Sequence, residues 1–305
     1  MIPQKAKHIT LKFFSIFSAV RAYNILVLVC AQYLAAIFIF SPTKSLKDVV
    51  FDMHLLFLVL ASVFVIAGGY IINNFYDDKL DKINRPLKAG LDNYVKQATK
   101  LRLYFFLNFI GFCFGILISS RAALFFAVYI FAIWFYSHKL KKYPFIGVIS
   151  ATVLTILPFF AVFVYYENFS EIIFVYAVYL FLVIMVRELI KDLQNMRGAI
   201  ASDYSTLSLV YGERKTKQIA ILALLFTGIP ITILFRYPAL SYMRYYFYFA
   251  IIVLVFVGFY LWKSKTTKHY RILHNILKLL LFVGVLCLTF IDTSLLLDKV
   301  IDILN

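Results

Sequence analysis

Long apolar runs separated by short, lysine-rich polar stretches set the rhythm of this chain. Runs at 22–41, 55–76, 102–119, 121–138, 146–166, 171–190, 218–235, 245–262 and 273–293 each come close to the ~20 residues a helix needs to cross a bilayer's hydrocarbon. The pattern predicts an all-α polytopic membrane helical bundle of about nine transmembrane helices, filling residues 1–305 as a single transmembrane domain. Lipid offers a backbone no water to bond, so only helices and closed barrels span it. Barrel strands would show ~9–11 residues of in–out alternation. The runs here are longer and do not alternate, which excludes a barrel. Ser119–Ser120–Arg121 leaves room only for a tight hairpin between the third and fourth runs. Lys278 and Asp292 interrupt the last run, and Lys278 is expected to snorkel toward an interface.

Composition agrees. The 305 residues are 63% hydrophobic and 15% charged, whereas soluble domains sit near ~45–50% and ~25%. The formal charge of +16 is a topology signal, because the bases fall in alternate loops. Lys5, Lys7 and Lys12 precede the first run. Lys79, Lys82, Arg85, Lys88, Lys96 and Lys100 follow the second, and Lys139, Lys141 and Lys142 follow the fourth. Lys191, Arg197, Arg214, Lys215 and Lys217 follow the sixth, and Lys263, Lys265, Lys268 and Arg271 follow the eighth. Short basic loops stay cytoplasmic, so the expectation is a multi-pass protein of the plasma (inner) membrane with its N-terminus in the cytoplasm. Bases spread over separate loops do not make a nucleic-acid surface, and no obligatory protein partner is implied. Residues 1–14 are basic without an apolar core and small-residue cleavage site, so no cleaved signal peptide is expected. Trp134, Tyr136, Tyr245, Tyr246 and Trp262 near run ends are expected in an interfacial belt. Cys30, Cys113 and Cys287 show no ligand spacing and read as small buried hydrophobes. The five histidines (His8, His54, His138, His269, His274) read as interfacial.

Acidic groups at membrane depth are functional candidates, and two clusters stand out on the same predicted side. The first closes the second run: Asn73, Asp77 and Asp81 at i, i+4 and i+8, then Asn84–Arg85–Pro86. Residues four apart on a helix are neighbours, so Asp77 and Asp81 would present two carboxylates from one face. That suits Mg²⁺, which is bound through one or two carboxylates plus substrate phosphates. The second cluster, Arg187–Glu188–Leu189–Ile190–Lys191–Asp192–Leu193–Gln194–Asn195–Met196–Arg197–Gly198, closes the sixth run. It spaces Glu188 and Asp192 at i, i+4 and Asp192 and Asn195 at i, i+3. It could hold a second metal ion and bind phosphate oxygens directly.

At these residues the chain resembles the UbiA-superfamily intramembrane prenyltransferases. That family typically shows N-D-x-x-D-x-x-x-D followed by N-R-P, and a second D-x-x-D-x-x-x-D. Here the first motif carries Asn74 at its first acid, and the second carries Asn195 and Ala199 at two of its acids. Arg21 with Asn24, and Tyr136–Ser137 with Leu140–Lys141–Lys142 and Gly147, are lesser matches over roughly residues 20 to 290. The resemblance implies Mg²⁺-assisted transfer of a prenyl group from a prenyl diphosphate to a lipophilic, glycerol-phosphate or aromatic acceptor within the lipid bilayer. It assigns Asp77, Asp81 and Asp192 to catalysis and metal, and Asn24, Asn73, Arg85, Lys141, Lys191 and Asn195 to the substrate. Asp78 and Asp203 are nearby acids that could compensate for the missing ones.

Two other classes remain. A transporter would want polar groups near midplane in broken spans. Pro158 and Pro230 do interrupt spans, but the acids gather at one face. A noncatalytic relative is motivated by Asn74, Asn195 and Ala199. A CDP-alcohol phosphotransferase is excluded by the absence of its D-x-x-D-G-x-x-A-R pattern.

Overall fold

The computed structural model describes Lys12 and residues 14–291. Expectations about Lys5, Lys7, His8 and Asp292 lie outside the described residues. The helices are α1 (Ala22–Ala35), α2 (Leu46–Val50), α3 (Met53–Tyr76), α4 (Asp78–Asn84), α5 (Pro86–Asp92), α6 (Gln97–Ile118) and α7 (Ser120–His138). They continue as α8 (Ile146–Tyr166), α9 (Glu171–Ala201), α10 (Leu207–Val210), α11 (Gly212–Phe226), α12 (Gly228–Leu234), α13 (Met243–Lys263) and α14 (Thr267–Cys287). The described residues contain nine helical segments long and apolar enough to cross a membrane.

Differences from the expected spans have local causes. α9 runs on to Ala201, past the apolar run that ends near 190. Its charged end keeps helical pairing, with Glu188 bonded to Lys191 three residues on. The seventh span breaks at Thr227, between α11 and α12. Pro230 explains the break, since it has no N–H to give the carbonyl four residues earlier. Pro158, inside α8, frees the Leu154 carbonyl in the same way, and the Tyr129 hydroxyl on α7 donates to it at 2.9 Å. In lipid such a freed group must find a partner from a neighbouring helix. Gln32, fully buried on α1, donates to the Pro158 carbonyl (3.0 Å) and to Ser62 Oγ (3.1 Å), so one amide joins three helices. α3 and α6 approach closely at Gly111, where a Cβ would stand 2.7 Å from Val65 Cγ2. Small residues are how helices in lipid reach that distance.

Several side chains sit elsewhere than expected. Tyr245 and Trp262 are exposed as a belt requires, but Tyr246 is buried and paired with Tyr179 across 3.1 Å. Tyr136 lines a polar pocket described below. Each has a hydroxyl that finds polar company inside the bundle, which position near a span end does not reveal. Cys30 is exposed, and Cys113 and Cys287 are half-buried; all three are free thiols. Lys278 lies over the Tyr23 ring at 3.9 Å. His274 turns inward on α14, with a buried Nδ1.

Tyr129→Phe deletes the donor that serves the Leu154 carbonyl and leaves the ring in place. It is expected to cost about 1–3 kcal/mol, the penalty for a buried acceptor left unpaired. Thermal unfolding in lipid reads this, and an unchanged midpoint would count against the proline-rescue role.

Candidate functional site

The first cluster keeps its register through a kink. Asp77 leaves helical geometry (φ −92°, ψ 9°) between α3 and α4. The hydrogen-bond ladder nonetheless continues from Asp77 N to the Asn73 carbonyl (2.9 Å), from Asp81 N to Asp77 (2.7 Å) and from Arg85 N to Asp81 (2.8 Å). Asn73, Asp77, Asp81 and Arg85 therefore line one side of a cavity of about 110 Å³. The short 3₁₀ turn Leu140–Lys142, between α7 and α8, delivers Lys141 to them. Its ammonium donates to Asp77 Oδ1 at 2.7 Å and to Asn73 Oδ1 at 3.2 Å. The Tyr204 hydroxyl, from the loop after α9, donates to the same Asp77 oxygen at 3.1 Å.

α9 supplies the opposite wall with Glu188, Lys191, Asp192 and Asn195. Glu188 is bridged by Arg187 (2.9 Å) and Lys191 (2.7 Å). Asp192 Oδ2 accepts from the Ser208 backbone N–H at 2.8 Å, and the residue lines the cavity. Asn195 Oδ1 is buried with no hydrogen-bond partner among the described residues. The two walls are clamped by Asn84 of the Asn-Arg-Pro run. Its Nδ2 donates to the Asn195 carbonyl, and its Oδ1 accepts from Gly198 N, both at 3.2 Å. Gly198 is needed there: a Cβ would come within 2.9 Å of the Leu80 carbonyl.

Eight of the nine sequence-selected residues thus line one pocket. Asn24 does not; Arg21, three residues earlier, takes its place with a left-handed backbone (φ 52°) and its guanidinium 5.0 Å over the Tyr70 ring. Asp78 pairs with Lys82 at 2.6 Å and Asp203 is exposed on a left-handed turn (φ 55°), so neither joins the pocket. Asn74 points out of it as well. Tyr136, Tyr143, Tyr204 and Thr206 line the pocket and were not selected. In a chain with 22 tyrosines composition singles out none of them, and of those in the pocket only Tyr136 was marked, by the lesser match at Tyr136–Ser137.

Burial raises the Asp81 carboxyl above its ordinary range, and the Asp77 carboxylate adds to this against Arg85 and Lys88. Burial beside Arg21 lowers Arg85. Burial and Asp77 raise the Tyr204 phenol, which keeps it a donor. The described residues contain no group of three or more His, Cys, Asp or Glu able to hold a metal by themselves. The donors facing the cavity are carboxylates and an unpaired amide oxygen, hard ligands on two walls. That set fits Mg²⁺ held jointly with substrate phosphates.

Fold and site together define a polytopic membrane bundle that gathers carboxylates, amides and cations in one pocket at the end of its spans. Residues 33–280 match the model of the UbiA prenyltransferase family. A digeranylgeranylglyceryl phosphate synthase of Methanobrevibacter smithii is 29% identical over 264 residues, covering 82% of this chain and 87% of that one. The synthase of the same name from Thermococcus gammatolerans is 33% identical over 156 residues, covering 50% of this chain and 55% of that one. A solved structure of a UbiA homologue from Archaeoglobus fulgidus, bound to GPP and Mg²⁺, superposes with a TM-score of 0.67 at 13% identity. That superposition covers 90% of this chain and 99% of the other. A solved structure described for digeranylgeranylglyceryl phosphate synthase gives 0.70 at 18% identity, over 92% and 99%. The chain belongs to the UbiA prenyltransferase family and is an enzyme of that class.

The folded protein binds a proton at Asp81 more tightly than the unfolded chain does. Ionised Asp81 therefore subtracts stability at neutral pH, and the loss fades as pH falls through the raised titration. Asp81→Asn is expected to raise the thermal midpoint at neutral pH, with the gain shrinking toward about pH 4, the ordinary aspartate value. Unfolding scans at both pH values, without Mg²⁺ or donor, check this; a midpoint below wild type at neutral pH overturns it.

Proposed function

We propose that this enzyme transfers a prenyl group from a prenyl diphosphate to the free hydroxyl of a prenylated glycerol phosphate, with Mg²⁺ bound by Asp77, Asp81 and Asp192. The observation that carries it is the convergence of these three carboxylates with Lys141, Lys191 and Arg85 around one pocket. The likeness to digeranylgeranylglyceryl phosphate synthases supports the acceptor class.

The bond that breaks joins the allylic carbon to a diphosphate oxygen, and the electron pair leaves with the diphosphate. The acceptor oxygen then bonds to that carbon and loses its proton. Held by Asp77, Asp81 and Asp192, Mg²⁺ would supply positive charge to the departing diphosphate. Lys191 and Arg85 donate to phosphate oxygens, fixed before the charge develops. Lys141 compensates Asp77 until donor arrives, and the same ammonium reaches a phosphate oxygen lying between Asn73 and Asp77. Asn73 and Asn195 orient the head group, Asn195 through the oxygen that lacks a protein partner. Tyr204 fixes the orientation of Asp77. Tyr136, Tyr143 and Leu207 line the pocket, and a donor bound against them would displace the water that could otherwise capture the cation. The basic end of the bundle faces the cytoplasm of the plasma membrane with the N-terminus inside, by the charge bias of alternate loops.

The test is diphosphate release by purified protein in lipid, given prenyl diphosphates of several lengths and either prenylated glycerol phosphate or aromatic acids. Release should require Mg²⁺ and fall by about two to three orders of magnitude in Asp77→Ala and Asp192→Ala, as when a charge-stabilising group is lost. Preference for an aromatic acid would replace the acceptor. Absence of release with every pair, from folded protein, would favour a noncatalytic relative.

A further inference from the structure

Behind the pocket, on the other side of α3, lies a second polar network that the proposed reaction does not use. Asn74 Nδ2 donates to Asp92 Oδ2 at 2.9 Å, and Asn74 Oδ1 accepts from the Lys100 ammonium at 2.8 Å. Lys88 approaches the same Asp92 oxygen at 3.4 Å. Lys100 also reaches Asn93 Oδ1 at 3.5 Å, and Ser15 Oγ donates to the Asp92 backbone carbonyl at 3.2 Å. All three central side chains are buried, with Asp92 at 1% and Lys100 at 2% exposure. Asp92 Oδ1 is buried with no hydrogen-bond partner among the described residues, so the cost of burying this charge is offset through Oδ2 alone, by Asn74 and Lys88.

The network's placement suggests its use. Asp81 and Arg85 sit on or beside two short helices, α4 and α5, that leave α3 at a kink. Arg85 joins them in an extended conformation (φ −145°, ψ 61°). Two seven-residue helices cannot hold their geometry alone, because short helices depend on tertiary contacts. Asn84 pins the near end to α9. Asp92, the last residue of α5, pins the far end to α3 through Asn74 and to α6 through the Asn74–Lys100 bond. Asn74 is the right size to link them: its amide gives a donor to the carboxylate and an acceptor to the ammonium. A carboxylate at 74 would set two acceptors 2.9 Å apart.

We infer that the Asn74–Asp92–Lys100 network is a positioning device for Asp81 and Arg85, and that position 74 needs an amide because position 92 holds the acid. Asn74 is then no lost metal ligand; the first cluster's donors are intact, and its apparent departure concerns the support behind them.

The variants are Asn74→Asp, Asp92→Asn and the exchanged double variant N74D/D92N, purified in lipid. The double variant rebuilds the same bond with donor and acceptor reversed. Each single change should raise the donor KM by at least about tenfold, the scale of one buried group left unpaired, with kcat much less affected. Hydrogen exchange should quicken within residues 78–96, and the double variant should return both readings to within about threefold of wild type. A lower half-saturating Mg²⁺ in Asn74→Asp would make position 74 a metal site and overturn the proposal. So would a double variant no better than the singles, or a lower thermal midpoint with KM and local exchange unchanged. The kinetic arm rests on the prenyl-transfer reading; the exchange arm does not. Rescue of exchange in a protein that releases no diphosphate would uphold the device and reject the reaction.

Discussion

Asp77 and Lys141 face one another across 2.7 Å with side chains only 14% and 7% exposed, and the arrangement of the site follows from that pair. Removing both charges from water costs about as much as their attraction returns, unless further hydrogen bonds complete the shell. Asn73 and Tyr204 complete it here. The pair therefore ties three separate pieces of chain: the end of α3 with the kink after it, the turn between α7 and α8, and the loop after α9. A well-packed apolar substitute would hold the bundle at least as well. What the ion pair adds is charge already fixed in a largely buried position, where it acts on a developing charge without reorganising.

The same logic explains why the segment after α3 is anchored twice. Asp81 carries a carboxylate whose burial and neighbour both disfavour it, and a free short helix would swing it toward water. Asn84, bonded to α9, and the Asn74–Asp92–Lys100 network close that escape from two directions. The absence of a Cβ at Gly198 lets α4 approach α9 closely enough for the Asn84 bonds to form. The segment is thus held by Asn84, Asn74, Asp92 and Lys100, none of which lines the cavity itself.

Much of this was legible in the residues and some was not, for identifiable reasons. The spans could be read because lipid demands long apolar helices, and Asp77, Asp81 and Asp192 because helical spacing puts such groups on one face. The length of α9 was hidden because a hydropathy run ends where charges begin, while a helix does not. The break at Thr227 followed from a proline whose consequence depends on what a neighbouring helix can offer; Pro158 has Tyr129 and leaves α8 intact. The resemblance put forward both Arg21 and Asn24 and gave Asn24 the substrate; of the two, Arg21 is the one that lines the pocket. Asn74 read as a missing acid because a linear motif does not say which side of α3 each residue faces. Its neighbour Asn73 lies on the pocket side, and one residue of helix is about 100° of rotation.

Below the polar site the bundle changes character. A second cavity, of about 200 Å³, is walled by apolar side chains including Phe159, Leu180 and Phe247. Along α9, Leu180 lies eight residues before Glu188, which is roughly 12 Å deeper at 1.5 Å per residue, and Ile173 roughly 22 Å deeper. A soluble phosphate compound would gain nothing from that space. An amphiphile with an anionic head and a long apolar tail would use both levels, its head at the carboxylates and bases and its tail along α9. The order of polar and apolar levels down one helix therefore suits an amphiphile of that shape, and it gives the bundle a reason to gather the pocket's carboxylates and bases at one level.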